Sequence, residues 1–126
     1  MKAMPVIKQT MARILIVEDE PMIALTMEDL LVEEGFEVVG VVGKLDKALA
    51  LIGSVALDAA IVDANLAGVS ASPIATALTA RGIPFIVLSG YSAEQLDGAL
   101  SGALLMKKPC RPDQLVDTLK SIVLPR

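Results

Sequence analysis

The residues able to do chemistry stand directly after apolar runs. Three carboxylates, Glu18, Asp19 and Glu20, follow residues 14–17 in "RILIVEDEP". Asp63 closes 59–62 in "AAIVDANLAG", Ser89 closes 85–88 in "PFIVLSGYS", and Lys108 follows 103–106 in "LLMKKPC". Like charges about 4 Å apart repel by roughly 4 kcal/mol at an effective dielectric near 20. Crowded acids therefore need a counter-charge. Carboxylates without histidine suit a hard, oxygen-seeking dication, and Mg²⁺ favours a few carboxylates plus several waters. A hydroxyl and an ammonium beside such an ion suit a bound anion, and a phosphoryl group fits both. A carboxylate can also act as nucleophile and form an aspartyl-phosphate. Asp63, central and followed by a turn containing Asn65 and Gly68, is the candidate for that role.

These residues are far apart in sequence, so the elements must bring them together. Five apolar runs, 14–17, 37–42, 59–62, 85–88 and 103–106, are rich in Val, Ile and Leu, as parallel strands buried on both faces are. Helical stripes fill the gaps: Ile23, Met27, Leu30 and Leu31; Leu45, Ala48, Leu49 and Ile52; Ile74, Ala77 and Leu78; Leu96 and Leu100; Leu115, Leu119, Ile122 and Val123. Pro21 and Pro112 open the first and last helices, and Gly35 stops the first. Five βα units in a row predict an α/β fold, a doubly wound, five-stranded parallel sheet with five helices. In such a sheet the strand C-termini share one edge, where ligands bind. Residues 1–11 read as a flexible N-terminal tail, and 12–126 as one domain.

Composition narrows the function. The chain has 126 residues, 54% hydrophobic and 2% aromatic, with a formal charge of −4. It lacks the basic face and aromatic platform that direct nucleic-acid binding requires. The single cysteine, Cys110, excludes an internal disulfide, and the absence of histidine excludes imidazole chemistry. No stretch reads as a signal peptide or membrane span, so a cytoplasmic protein without membrane insertion is expected.

Taken in order, "ILIVEDEP", "IVDANLAG", "VLSGY" and "KKP" resemble the receiver domain of bacterial two-component response regulators. The resemblance runs from Arg13 to about Leu124 and implies strand order 2-1-3-4-5. It implies that Asp63 accepts a phosphoryl group from a phosphohistidine of a sensor histidine kinase or a histidine phosphotransfer protein. Asp19 would bind Mg²⁺ directly (or Mn²⁺ in its place), Glu18 through water, and Asp63 and the Asn65 backbone carbonyl would complete the protein ligands. Ser89 would hydrogen-bond a phosphoryl oxygen. Lys108 would pair with its charge, chosen over Lys107 because it directly precedes Pro109. The output would be contact with a protein partner, with a homodimer on phosphorylation as a further form.

Two positions depart from the usual pattern. Leu105 stands where the family usually carries an aromatic switch residue. Tyr91 gives "LSGY", similar to a Ser/Thr-Gly-Tyr variant group with many stand-alone receivers, although Phe85 lies one residue early for that segment. Tyr91 and Leu105 are thus the switch candidates.

Competing readings fail on particular residues. An aspartyl-phosphate phosphatase of the haloacid-dehalogenase type would need Asp where Asn65 stands. A flavodoxin-like FMN module would need a hydroxyl- and glycine-rich loop where "EDEP" stands. Helix capping alone would explain the acid run, Glu20 above all, but not Asp63 and Lys108 at the other strand ends. Cys110 reads as a small half-buried apolar residue.

Overall fold

The computed structural model describes residues 11–90, 98–100 and 103–123. The chain runs β1 (Arg13–Val17), α1 (Pro21–Glu33), β2 (Glu37–Val42), α2 (Leu45–Ser54), β3 (Ala59–Asp63), β4 (Asn65–Leu66), β5 (Val69–Ser70), α3 (Ser72–Ala80), β6 (Phe85–Ser89), β7 (Leu104–Lys107) and α4 (Pro112–Val123). Five strands form a parallel sheet in the order β2-β1-β3-β6-β7. Counting only these long strands, that is 2-1-3-4-5.

Alternation along the strands splits the core in two. Leu15, Val17, Ala60, Val62 and Val87 face α2 and α3, whose Ala48, Ile52, Ile74 and Leu78 pack on them. Ile14, Ile16, Ile61, Ile86 and Leu88 face α1 and α4, meeting Met27, Leu31, Leu115 and Leu119. β1, β3 and β6 are buried almost throughout, whereas the outer strands β2 and β7 are partly exposed. Burying a Leu or Ile side chain contributes about 1.5–3 kcal/mol, so the aliphatic layers hold the sheet without aromatic packing.

Several elements differ from the sequence expectation. Four α-helices occur among the described residues, not five. The fourth expected helix falls largely outside them, Leu96 included, and its described part, Gly98–Leu100, is a 3-10 turn. Gly98 has φ +52°, which an α-helix cannot accommodate. Strand β7 begins one residue late, because the Ala103 N–H closes a turn onto the Leu100 carbonyl (3.2 Å). In α1 Ile23 is exposed and Ala24 fills its place in the core. The expected tail, residues 1–11, lies outside the described residues except for Met11. The hairpin β4–β5 has no counterpart in the strand pattern. It is too short for periodicity to reveal, and turns on Ala67 (φ +53°) and Gly68 (φ +92°). Positive φ at both central residues marks the turn that suits the twist of a two-residue hairpin.

Candidate functional site

Strand register sets the geometry of the cleft. Val17 pairs with Val42 on one side and Val62 on the other, so Gly43, Glu18 and Asp63 are the next residues at one level of the sheet. The Glu18 N–H donates to the Val42 carbonyl (2.9 Å), carrying the ladder one residue into the acid run. β3 and β6 each reach one residue beyond the apolar run, so Asp63 and Ser89 are themselves the last strand residues. β1 and β3 are also where the chain reverses its direction of winding, the switch point at which open α/β sheets bind ligands.

Ligand atoms of Glu18, Asp19 and Asp63 all lie within 4.8 Å of one another. Lys108, in the loop after β7, donates from Nζ to Asp63 Oδ2 (2.8 Å) and stands 3.6 Å from Glu18 Oε1. The other Asp63 oxygen, Oδ1, accepts the Asn65 N–H (3.1 Å). Asn65 is held in turn by the hairpin, its Oδ1 accepting the Gly68 N–H (2.6 Å). Ser89 is buried, and its carbonyl accepts the Lys108 N–H (2.9 Å), which ties the lysine loop to the end of β6. Lys107, by contrast, is an exposed β7 residue opposite Ser89. Asp19, Glu20, Asp63, Asn65, Ser89 and Lys108 line a cleft of about 270 Å³.

Glu18 is the anomalous member. Its side chain is fully shielded from solvent, Oε2 accepts the Glu20 N–H (3.1 Å), and Oε1 has no hydrogen-bond partner. Burial is the main force raising its pKa from 4.5 to about 7, helped by the Asp63 charge and opposed by the Glu20 N–H and Lys108. For Lys108 burial acts to lower the pKa, but the hydrogen bond and charge of Asp63, with Glu18 behind it, overcome that and raise it. An orphaned buried carboxylate oxygen within reach of two other acids is the donor set a hard dication takes. The residues present therefore fit a magnesium ion.

Other residues singled out in the sequence take different places. Glu20 holds the N-cap position of α1, and its carbonyl accepts the Ala24 N–H (2.9 Å), but its side chain makes no capping bond. Leu105 is half-buried against the core on the α2–α3 face. Tyr91 lies outside the described residues. Cys110 packs half-buried against the α1–α4 core, and burial pushes its thiol pKa up. Gly43 is a contributor that strand patterns could not reveal. A Cβ there would stand 3.0 Å from Asp19 Cα and 3.3 Å from the Glu18 carbonyl oxygen, so the β2–α2 loop abuts the acid run. Its only sequence signal is its place just after β2, at the same sheet edge as the other site residues.

A doubly wound sheet with three acids and a lysine at its switch point is the architecture of a signalling receiver. The chain belongs to the response regulator receiver domain family, whose pattern it matches over residues 14–120. It is similar to SdrG from Sphingomonas melonis Fr1, with 38% identity and TM-score 0.75, covering 89% of this chain and 96% of that one. The response regulator PhyR from Brucella abortus is 28% identical with TM-score 0.77, over 94% of this chain and 50% of that one. The transcriptional regulatory protein PdtaR from Mycobacterium tuberculosis is 29% identical over 113 residues, 89% of this chain and 55% of that protein. The chain thus spans about half the length of that relative. Among the described residues no helix is long and apolar enough to cross a membrane.

Proposed function

We propose that this receiver takes a phosphoryl group onto Asp63 from a phosphohistidine of a kinase or phosphotransfer protein, in a magnesium-dependent reaction. The observation that carries this reading is the convergence of Glu18, Asp19 and Asp63 within 4.8 Å, with Lys108 Nζ at 2.8 Å from Asp63. A carboxylate oxygen of Asp63 attacks phosphorus, the phosphorus–nitrogen bond to the donor imidazole breaks, and the imidazole leaves with a proton. The product is an aspartyl-phosphate.

The chain's own groups prepare that displacement. Lys108 and the Asn65 N–H hold the two Asp63 oxygens in fixed directions, so little rotational freedom remains to be lost on reaction. Lys108 and Ser89 line the same cleft and can meet phosphoryl oxygens as charge shifts onto them. Magnesium held by Glu18, Asp19, Asp63 and the Asn65 carbonyl would supply positive charge against those oxygens. The domain would catalyse its own phosphorylation and dephosphorylation, and signal by protein contact rather than turn over a substrate.

The test uses phosphoramidate, a small donor with the same phosphorus–nitrogen bond, and intact-mass spectrometry. The wild-type chain should gain one phosphoryl mass in Mg²⁺ and none in EDTA, and Asp63→Asn should gain none. A phosphorylated Asn variant would overturn the assignment of the acceptor.

A further inference from the structure

Next to the acid cleft lies a second, larger groove of about 700 Å³ that the phosphoryl chemistry does not use. Its walls are the end of β2 and start of α2 on one side, and the β4–β5 hairpin on the other. The rim is apolar, with Val41 36% and Val69 48% exposed. Lys44 and Lys47, both exposed, stand at its mouth, and neither forms an ion pair among the described residues. Their nearest acid in sequence, Asp46, points an oxygen at the Lys47 backbone N–H (2.9 Å). Asp19 marks the inner end, where the groove meets the cleft. The chain as a whole carries −4, whereas the groove lining sets two unpaired lysines against the one carboxylate of Asp19.

We infer that this groove docks an acidic protein segment, one presenting an apolar side chain between carboxylates. Charge complementarity selects the carboxylates and the valine rim selects the apolar residue. A nucleic-acid backbone would satisfy the lysines but leave Val41 and Val69 against water. Asp19 gives the groove a link to its neighbour. It opposes an acidic guest, and removing its charge should favour one. A cation held at Asp19 would have the same effect as that removal, so the surface would read the loading of the cleft. Only this last step rests on the metal reading.

The probe is a short fluorescent peptide of alternating glutamate and leucine, followed by anisotropy and by amide NMR shifts on the full chain. Its glutamine counterpart is the control. The acidic peptide should bind, should weaken with added salt, and should move the amides of Val41, Lys44, Leu45 and Val69. Lys44→Glu with Lys47→Glu should weaken it about tenfold, and Asp19→Asn in EDTA should tighten it about threefold. The Asn variant tests the groove without metal. If it tightens binding but Mg²⁺ does not, the docking surface stands and the metal reading fails. Equal binding of the glutamine peptide, indifference to the lysine reversal, shifts confined to α1, or no binding would overturn the inference. So would displacement of the peptide by an oligonucleotide from the same lysines.

Discussion

Glu18→Gln separates the fold's interest from that of the site. Wild-type Glu18 holds its proton up to about pH 7 in the metal-free native state, against an ordinary 4.5 for the exposed group. The native state therefore binds more protons than the unfolded chain between those values, and stability falls as pH rises across that window. Below 4.5 both states are protonated and the difference vanishes. Above 7 both are ionised and the cost of the buried charge is complete. At 1.36 kcal/mol per pH unit, a rise from 4.5 to about 7 gives about 3 kcal/mol. Water in the adjoining cleft should reduce this to about 2 kcal/mol. Glutamine keeps the oxygen that accepts the Glu20 N–H and removes the charge.

The assay is urea unfolding in EDTA at pH 4.5 and pH 8, at one ionic strength. Glu18→Gln should match wild type at the lower pH and exceed it by about 2 kcal/mol at the higher. Added Mg²⁺ should stabilise wild type by linkage, about 1.4 kcal/mol at ten times its dissociation constant, and the variant by less. An equal difference at both pH values would refute the burial argument, since a pH-independent gain must come from packing.

If Mg²⁺ is held by Glu18 as proposed, the same proton would compete with it, so affinity should rise about tenfold per unit up to pH 7 and flatten above, as calorimetry in two buffers of different ionisation heat would show. Lys108→Ala should still bind Mg²⁺ but accept phosphoryl slowly, whereas Lys107→Ala should match wild type; kinetics of phosphoramidate transfer would show the reverse pattern if Lys107 instead serves the acceptor. Gly43→Ala pushes a methyl to 3.0 Å from Asp19 Cα, so its Mg²⁺ affinity should fall severalfold while its urea midpoint moves little, and a change in midpoint alone would make Gly43 merely structural.

The sequence order was enough to expect the sheet because strand and helix periods differ and each turn is marked by Pro, Gly or Asp. Edges were harder. Whether Asp63 and Ser89 sit in the strand or after it depends on one backbone bond each, to which apolar patterning is blind. Ile23 and Ala24 exchange places for a similar reason: an apolar stripe on α1 faces the core only as far as the helix axis directs it. The fourth helix rests on two leucines, flanked by Gly98 and Gly102 that weaken it; at Gly98 the backbone takes a left-handed φ, and a Cβ there would collide with Ser72 Oγ. The acids and lysine stand out as candidate chemistry because helix capping explains the acid run alone, but not Asp63 and Lys108 at the other strand ends. What the pattern could not apportion was the repulsion, which a sequence spreads evenly over Glu18, Asp19 and Asp63.

Burial decides that apportionment. Asp63 shares one oxygen with Lys108 and the other with the Asn65 N–H, so its charge is met from both sides. Asp19 is half-exposed and partly screened by water. Glu18 has neither resource: its ladder bond to Val42 fixes the backbone, its side chain is shielded, and Lys108 at 3.6 Å is already bonded to Asp63. The residue least able to hold a charge unaided therefore stands beside the proposed acceptor, where an arriving cation relieves it most. On the proposed function, a site built this way would couple metal, proton and phosphoryl through one buried carboxyl. Replacing Glu18 with an amide should flatten the pH dependence of metal binding as well as of stability, and both slopes should vanish together if that single group carries the coupling.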